Sequence, residues 1–480
     1  PHVIALDPTR RLQRIDGFGA SFQEAGAVVL NRLPEREREQ VLAAVFDPVS
    51  GAGFSAMKTV IGGTDFQSAE PEFYSLAPKQ GPPGDPLRHF SIERDLRPNG
   101  LIPYIRRAQR HGRFALQATM DYPPEWMLVQ KKSYTGPDGK PARAMDVDPR
   151  FYATLADYYV RYLRAYAREG IHIRYLSPFN EPGIYTDIEP QEFAALAGGY
   201  VGPALARAHL GTRLQIGDFG SRVADGNAAG AVSDAERSLP IIMRSAGVRR
   251  YLGSISYHGY DFMGWHERKY GAQADAHVRA PTRSNGYDFA EFEAVARWHR
   301  EYPSLPLWQT EVCLFDAMPW AGPRPVMDFS DGDLFGQQIA ADLENGASAW
   351  LYWNLILDDV GGPWLVDPRY NNPEQNSQHP VVVIDRATRQ VHYTGVYYYL
   401  AHFSKFVRPG SVRLAVSGGA GNLRALAFET PERGIVVEVL NGDAAATRGR
   451  LIWKGSQLEF DLAPKSITTL IWTAVVQDAG

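Results

Sequence analysis

Short apolar runs alternate with amphipathic stretches along most of this chain, and this alternation narrows its possible folds more than any other feature. Eight such runs predict strands, at residues 15–22, 54–61, 114–120, 174–179, 214–217, 255–258, 307–312 and 349–353. Helical patterns lie between them, at residues 35–45, 99–111, 150–169, 190–209, 289–301 and 333–345. A chain that repeats strand and helix eight times is predicted to form a (β/α)8 barrel of the TIM type.

After about residue 405 the pattern changes to short alternating runs divided by turn residues, without helical patterns between them. These runs predict strands at residues 411–417, 423–429, 434–440, 449–453, 458–462 and 466–472. Residues 2–6 precede the first barrel strand and have no helix to pair with, so we expect them to complete an antiparallel β-sandwich with the C-terminal strands. The predicted domains are a barrel over residues 13–404 and a side domain over residues 1–12 and 405–480.

Composition and charge exclude several classes of protein. The 480 residues include 50 Lys+Arg and 54 Asp+Glu, and 44% are hydrophobic, which excludes a disordered chain or a coiled coil. No long basic run offers phosphates a partner, so no nucleic acid is expected. No apolar stretch approaches 18 residues, so no membrane span is expected either. The chain begins at Pro1 rather than Met, which is consistent with a processed or trimmed N-terminus. The location is left open, with a secreted or periplasmic one favoured over a cytoplasmic one. The oligomeric state is left open.

Two glutamates stand where strands of the predicted barrel should end. Glu181 lies between Asn180 and Pro182, and Pro182 prevents a simple helical continuation after the strand. Glu311 closes another apolar run, about three βα units further along the chain. Each glutamate taken singly could be a surface or loop-capping carboxylate. As a pair they can converge across the barrel mouth, and glycoside hydrolysis requires one acid for the leaving oxygen and one carboxylate facing the anomeric carbon.

Several segments resemble glycoside hydrolase family 30, the group of glucosylceramidase-like and β-1,6-glucanase-like enzymes. They are DGFGASF (16–22), IGGTDF (61–66), HFSI (89–92), NEP (180–182), YHGY (257–260), QTE (309–311), YWN (352–354) and HFSKF (402–406). The resemblance extends over nearly the whole chain. It implies a retaining β-glycosidase in which Glu181 is the acid/base and Glu311 the nucleophile, on a barrel fused to a β-sandwich.

The resemblance also implies roles for residues that bind the sugar. Asp65 would hydrogen-bond its hydroxyls, and Asn180 would hold the 2-hydroxyl beside the nucleophile. His258 and Tyr260 would flank Glu311, and Trp353 would form the floor of the site. A packing role in the core is the alternative for His258 and for Trp353.

Three positions depart from the family pattern near the expected sugar-recognition surface. Asp121 stands where the family usually has Trp, in the segment MDYPPEW that ends at Trp126, and both residues are expected to contact substrate. Lys58 stands where the family tends to have Arg. Residues 361–364 read Gly-Gly-Pro-Trp in place of the usual Gly-Gly-Pro-Asn. The reaction is therefore better defined by the sequence than the sugar.

The sequence predicts a retaining β-glycoside hydrolase that acts without metal or organic cofactor on β-linked glucosyl, xylosyl or related units. Whether it is exo- or endo-acting depends on four long segments expected to wall the pocket, at residues 67–86, 129–147, 261–288 and 358–379. An endo-acting β-1,6-glucanase is one alternative. A noncatalytic carbohydrate-binding protein is another, although it would be expected to lack one of the two carboxylates. A metal-dependent hydrolase would use His258, Asp261 and His266, whose spacing matches no standard metal site.

Overall fold

The computed structural model describes residues 1–68, 74–135, 141–183, 186–220, 222, 235–260, 289–314, 329–365, 377–419 and 423–473. Its strands are β1 His2–Arg14, β2 Gly17–Phe22, β3 Ala56–Val60, β4 Ala115–Thr119, β5 Leu128–Thr135, β6 Pro141–Val147, β7 Tyr175–Ser177, β8 Arg213–Phe219, β9 Leu252–His258, β10 Leu307–Glu311, β11 Ala347–Asn354, β12 Ile356–Asp358, β13 Val382–Ile384, β14 Val391–Tyr393, β15 Val412–Gly418, β16 Leu423–Glu429, β17 Gly434–Asn441, β18 Thr447–Trp453, β19 Ser456–Leu462 and β20 Ser466–Thr473.

The helices of the described residues lie mostly between the barrel strands. They are α1 Glu24–Leu30, α2 Glu35–Phe46, α3 Glu93–Leu96, α4 Leu101–Gln109, α5 Tyr152–Arg168, α6 Pro190–Leu196, α7 Gly202–Ala208, α8 Ala235–Ile242, α9 Ala246–Tyr251, α10 Phe289–Glu301, α11 Asp331–Glu344 and α12 Gly395–Phe406. None of these helices is long and apolar enough to cross a membrane.

Eight parallel strands close into the predicted barrel, in the ring order β2, β3, β4, β7, β8, β9, β10, β11. Their residues are almost all buried because the strands face side chains inside the barrel and helices outside it. Gly19 of β2 marks a close approach, since a Cβ there would lie 2.0 Å from the Ala56 carbonyl oxygen of β3. The sequence prediction of a (β/α)8 barrel is confirmed.

The side domain is a seven-stranded sheet in the order β19, β18, β1, β15, β16, β17, β20. Its small core draws side chains from all seven strands, including Ile4, Leu414, Val437, Leu451 and Leu470. The prediction that the N-terminal segment completes this domain is confirmed, because β1 pairs with β15 antiparallel. One pair departs from the antiparallel pattern, since β1 and β18 run parallel. The exact domain boundaries stay predictions.

Two of the long segments expected to wall a pocket lie in or beside small sheets. Residues 129–135 and 141–147 belong to β5 and β6, which pair antiparallel. Residues 358–379 follow β12, which pairs with β13 in a small three-stranded sheet. The segment at residues 261–288 lies outside the described residues. Both segments follow the carboxyl ends of barrel strands, on the side of the barrel where Glu181 and Glu311 lie.

Candidate active site

The carboxyl ends of neighbouring barrel strands bring the candidate residues together. Glu311 is the last residue of β10 and His258 the last of β9, while Glu181 follows β7 by four positions. Because β7 and β10 are three steps apart in the ring, the two glutamates face each other across the mouth, as their spacing in the sequence predicts. Both are at least nine-tenths buried.

The two glutamates lie close enough to act on one atom between them. One oxygen of Glu181, one oxygen of Glu311 and one ring nitrogen of His258 all lie within 4.8 Å of one another. In glycosidases, carboxyl groups about 5 to 5.5 Å apart support attack by one of them, whereas separations of about 6.5 to 9.5 Å leave room for a water nucleophile. The short separation here favours direct attack by a carboxylate.

Glu311 is surrounded by donors. The ammonium group of Lys58, fully buried on β3, donates to Glu311 Oε2 at 2.7 Å and to Asn180 Oδ1 at 2.9 Å. The hydroxyl of Tyr260 donates to Glu311 Oε1 at 3.0 Å. Both oxygens of Glu311 therefore accept a hydrogen bond from a group that stabilises the ionised form.

Glu181 has a different environment. Its Oε1 lies 2.9 Å from His258 Nδ1, and the other ring nitrogen, Nε2, has no hydrogen-bond partner among the described residues. The backbone of Glu181 has a φ of 42°, in the left-handed region that non-glycine residues seldom adopt. Its amide nitrogen donates to the Asp218 carbonyl at 2.9 Å, which helps to hold this conformation. Backbone strain of this kind is concentrated at functional sites.

These surroundings separate the pKa values of the two carboxyl groups. Burial raises the pKa of Glu181 well above its ordinary range, and the charge of Glu311 raises it further. Burial also raises the pKa of Glu311, but the Lys58 charge and the hydrogen bonds from Lys58 and Tyr260 oppose that rise. Glu181 is therefore the carboxyl group that keeps its proton, and Glu311 the one that ionises first.

The pKa values of the two neighbouring basic side chains, Lys58 and His258, are also shifted. Burial opposes ionisation of Lys58, but the Glu311 and Asp218 carboxylates outweigh it and raise the pKa of the ammonium group. Burial and the Lys58 charge lower the pKa of His258 well below its ordinary range. His258 is therefore neutral beside Glu181, and Lys58 supplies the positive charge beside Glu311.

Lys58 and Asp218 lie in the site, although the sequence analysis did not assign them to it. Asp218, in β8, is fully buried, and its carboxylate accepts hydrogen bonds from Thr310 and from Gln117, the latter at 2.8 Å. In the sequence, Lys58 stands out only as a departure from the family pattern. A buried lysine in the middle of a strand is the signal that could have identified it, because such a charge requires a partner.

The structure buries Asp65 and Trp353, two further predicted site residues. The backbone carbonyl of Asp65 accepts from Leu365 N at 2.7 Å, and the Thr64 hydroxyl donates to its carboxylate at 2.9 Å. Trp353 is buried on β11, with Lys58 Nζ 5.0 Å from its ring centroid. Trp353 therefore lies against Lys58, the partner of Glu311, and its contact with substrate stays a prediction.

Asp121 and Trp126, from the same segment, differ in their surroundings. Asp121 is 2% exposed and interacts electrostatically with Lys58, Asp65 and Glu311. Trp126 is only partly buried; its indole N–H donates to the Ala77 carbonyl at 2.8 Å, and its ring meets that of Phe151 edge-on. These contacts anchor the chain around Trp126, so its contact with substrate stays a prediction.

A cation could in principle use the cluster, because Glu181, His258 and Glu311 each offer one ligand atom. However, the Lys58 ammonium already lies 2.7 Å from Glu311 Oε2 and supplies a positive charge to this carboxylate. The donor set therefore fits an internal ion pair better than a metal ion. Asp261 and His266, the other candidate ligands, lie outside the described residues.

Barrel, side domain and paired carboxyl groups together define the class of this protein, a barrel-type glycoside hydrolase. Comparison with known proteins identifies the family. The model of the glycosyl hydrolase family 30 TIM-barrel domain matches residues 15–198 and 284–407, and that of the family 30 β-sandwich domain matches residues 410–470. The chain therefore belongs to glycosyl hydrolase family 30, a family of retaining β-glycoside hydrolases.

The relatives of this chain are distant in sequence. The lysosomal acid glucosylceramidase of Mus musculus is 24% identical over 457 residues, which cover 92% of this chain and 77% of that protein. An endo-1,6-β-D-glucanase of Neurospora crassa is 25% identical over 424 residues, 86% of this chain and 74% of that protein. The solved structure of the endo-β-1,6-glucanase BT3312 superposes with a TM-score of 0.76 at 22% identity, covering 98% of this chain and 94% of the other.

Proposed function

We propose that Glu311 is the nucleophile and Glu181 the general acid/base of a two-step hydrolysis of β-glycosides. The observation that carries this assignment is the short separation of the two carboxyl groups, combined with their unequal surroundings. The group that stays ionised can attack carbon, and the group that stays protonated can donate to the departing oxygen.

In the first step, Glu311 forms a bond to the anomeric carbon while the glycosidic oxygen leaves with the proton of Glu181. Lys58 and Tyr260 hold Glu311 in the orientation of attack, and Lys58 also fixes the Asn180 side chain beside it. The product is a covalent glycosyl-enzyme in which the carboxylate charge of Glu311 has disappeared.

In the second step, the loss of that charge lowers the pKa of Glu181, because Glu311 was one of the causes that raised it. Glu181 then accepts a proton from water, whose oxygen attacks the anomeric carbon and releases Glu311. Neutral His258, 2.9 Å from Glu181, keeps the carboxyl group in place in both protonation states. Two inversions give net retention of the β configuration.

We further propose that the bond cleaved joins a β-linked glucosyl unit to an oligosaccharide or a glycoconjugate. The support is that relatives over most of the chain are named for glucosylceramide and for β-1,6-glucan. Endo-acting cleavage of a β-1,6-glucan is the second candidate, supported by the endo-1,6-β-D-glucanase relative and the glucanase fold match. A noncatalytic carbohydrate-binding role is disfavoured because both carboxyl groups are present and lie close together.

Proton NMR of the first product tests the proposed mechanism. 4-Nitrophenyl β-D-glucopyranoside and a β-1,6-glucan are supplied separately, and the anomeric signal is followed before mutarotation. We expect the β-anomer to appear first from whichever substrate is cleaved, and no turnover by Glu311→Gln. Appearance of the α-anomer first would contradict the double displacement, and cleavage of the polymer alone would favour the endo-acting candidate.

A further inference from the structure

Asp218 is a fully buried residue that contacts the chain beside both glutamates of the site. It lies in β8, and its backbone has a φ of 50°, in the left-handed region that non-glycine residues seldom adopt. Its carbonyl oxygen accepts from Glu181 N at 2.9 Å, and its side chain accepts from the hydroxyl of Thr310, which precedes Glu311. Because backbone strain is concentrated at functional sites, this position indicates that Asp218 serves the site.

The hydrogen-bond partners of the Asp218 side chain are neutral groups. Gln117 Nε2 donates to Oδ2 at 2.8 Å, and the Thr310 hydroxyl donates to Oδ1. His258 Nε2 lies 3.8 Å from Oδ1, but burial and the Lys58 charge keep His258 neutral. In the part of the chain that the structure describes, no lysine or arginine forms an ion pair with this carboxylate. A buried carboxylate of this kind needs a cation in its neighbourhood.

Lys58 is a cation on which Asp218 acts. The carboxylates of Glu311 and Asp218 both raise the pKa of the Lys58 ammonium, against the effect of burial. Asp121 acts on Lys58 in the same direction, but burial raises the pKa of Asp121 well above its ordinary range, so this carboxyl group keeps its proton. Lys58 therefore has two charged partners, Glu311 in direct contact and Asp218 further away.

The two carboxylates have different fates in the proposed reaction. Glu311 becomes an ester in the glycosyl-enzyme and loses its charge, whereas Asp218 forms no bond to the sugar and keeps its charge. Glu181 becomes charged at this stage, but among the described residues no hydrogen bond joins it to Lys58, and it then takes up the proton of the attacking water. When the bond to the anomeric carbon breaks, its electron pair returns to Glu311, and a charged Lys58 stabilises the carboxylate that forms.

We propose that Asp218 is a positioning residue that keeps Lys58 protonated while Glu311 carries the glycosyl group. A cation is then in place when the second step releases Glu311. This inference rests on the proposed function, because it takes Glu311 to be the residue that is glycosylated. It adds a requirement of the second step that the first step does not share. The requirement arises from lysine, since an arginine side chain stays charged without such help.

The pH profile of the second step tests the proposal. The 2-fluoroglucosyl-enzyme is formed with 2,4-dinitrophenyl 2-deoxy-2-fluoro-β-D-glucopyranoside, freed of reagent, and its hydrolysis is followed as the return of activity. We expect the rate constant of the wild type not to fall between about pH 7 and about pH 9, because Glu181 is already the base. That of Asp218→Asn should fall about tenfold over the same interval, because burial then lowers the pKa of Lys58. Parallel profiles would overturn the proposal.

Asp218→Asn is suited to this test because its surroundings can accommodate an amide. Asparagine is close to aspartate in size, and Gln117 Oε1 has no hydrogen-bond partner among the described residues. The Gln117 amide can therefore turn and accept a hydrogen bond from the new amide group. The melting temperature and the circular dichroism spectrum of the variant establish that it is folded.

The double variant Lys58→Arg/Asp218→Asn shows whether the effect passes through Lys58. Arginine keeps its charge over the whole interval, so the fall with pH should be absent from the double variant when it is compared with Lys58→Arg. A structural role of Asp218 would leave the fall in place. Persistence of the fall in the arginine background would therefore overturn the proposal.

The first step should respond differently to the same substitution. In the free enzyme Glu311 is ionised and bonded to Lys58, so Lys58 stays charged without Asp218. The Asp218 charge raises the pKa of Glu311, and its removal should move the acidic limb of kcat/KM to lower pH. An acidic limb displaced to higher pH would show that Lys58 had already lost its charge in the free enzyme, and would overturn the proposal.

The matched control is Asp95→Asn. Asp95 is fully buried like Asp218 and also accepts from neutral donors, Tyr74 at 2.7 Å and Tyr166 at 2.8 Å. Asp95→Asn should leave the pH profile of the second step as in the wild type. A similar fall in the control would assign the effect to general loss of a buried carboxyl group and overturn the proposal.

NMR of the lysine side chains separates failure of this inference from failure of the proposed function. The enzyme is labelled with 13C-lysine and trapped as the 2-fluoroglucosyl-enzyme, and the Lys58 signal is identified by its absence from Lys58→Arg. We expect Lys58 to titrate at least about one pH unit lower in Asp218→Asn than in the wild type. A label on a residue other than Glu311 would sink the proposed function, whereas a label on Glu311 with equal titrations would sink only the role of Asp218.

Discussion

The two sides of the barrel mouth hold the same kind of side chain in opposite conditions. On the β10 side, Glu311 accepts hydrogen bonds from an ammonium group and a hydroxyl. On the β7 side, Glu181 meets a neutral imidazole and has a strained backbone. Burial raises the pKa of both carboxyl groups, so the neighbours decide which of the two keeps its proton. The two proposed roles of one residue type therefore rest on the charge placed beside each.

Replacing Glu311 should have the largest effect, because it removes the group that attacks carbon. Glu311→Gln keeps the size of the side chain, and we expect kcat to fall on the order of 10⁵-fold or more with little change in the melting temperature. Steady-state kinetics on 4-nitrophenyl β-D-glucopyranoside measure this. Asp95→Asn serves as the control for a buried carboxyl group outside the site. Activity of Glu311→Gln within about tenfold of the wild type would contradict the proposed difference in role between Glu311 and Glu181.

Replacing Glu181 should have an effect that depends on the leaving group. Glu181→Gln removes the proton donor, so we expect kcat/KM to fall about 10²- to 10⁴-fold for phenyl glycosides, which need protonation to depart. The loss should be much smaller for 2,4-dinitrophenyl glycosides, whose leaving group departs as an anion. Added azide should restore turnover and give a β-glycosyl azide. Losses of equal size for both leaving groups would contradict the role of Glu181 as the acid.

Replacing Lys58 should make the surroundings of Glu311 more like those of Glu181. Lys58→Met removes the charge that lowers the pKa of Glu311, so this pKa rises and the acidic limb of the kcat/KM profile moves to higher pH. We expect kcat/KM at neutral pH to fall about 10²-fold. Lys58→Arg, which keeps a positive charge, should retain the acidic limb near its original pH. An acidic limb that does not move in Lys58→Met would show that Lys58 does not control the ionisation of Glu311.

Replacing Tyr260 should have the smallest effect of the four. Tyr260→Phe removes one hydroxyl donor, 3.0 Å from Glu311 Oε1, and leaves the Lys58 ion pair in place. We expect about a tenfold loss in kcat/KM and an acidic limb displaced upward by less than in Lys58→Met. Tyr166→Phe, which removes a buried hydroxyl bonded to Asp95, is the control. A larger loss than in Lys58→Met would reverse the ranking of the two donors.

The sequence predicted the fold of this chain in some detail because strands, helices and turns leave local patterns. All eight barrel strands and the C-terminal strands lie within a few residues of the predicted runs. The N-terminal strand was predicted over residues 2–6 and continues to Arg14. The sequence does not predict the hairpin of β5 and β6, because the segment between these strands is polar and lacks an apolar alternation.

The contacts of the site could be predicted only in part. Glu181 and Glu311 end apolar runs, so their positions could be inferred from local sequence and the geometry of a barrel. The bonds that distinguish them could not be inferred, because Lys58 is 122 residues from Asn180 and 253 from Glu311. Such pairs depend on the register of parallel strands, which no local pattern encodes.

Identification of the residue that becomes glycosylated tests the central claim most directly. The enzyme is incubated with 2,4-dinitrophenyl 2-deoxy-2-fluoro-β-D-glucopyranoside, which forms the glycosyl-enzyme readily but releases it slowly, and peptides are sequenced by mass spectrometry. We predict one added 2-fluoroglucosyl group per chain, on Glu311, and none on the Glu311→Gln variant. A label on Glu181 or on another residue would contradict the assignment of the two carboxyl groups.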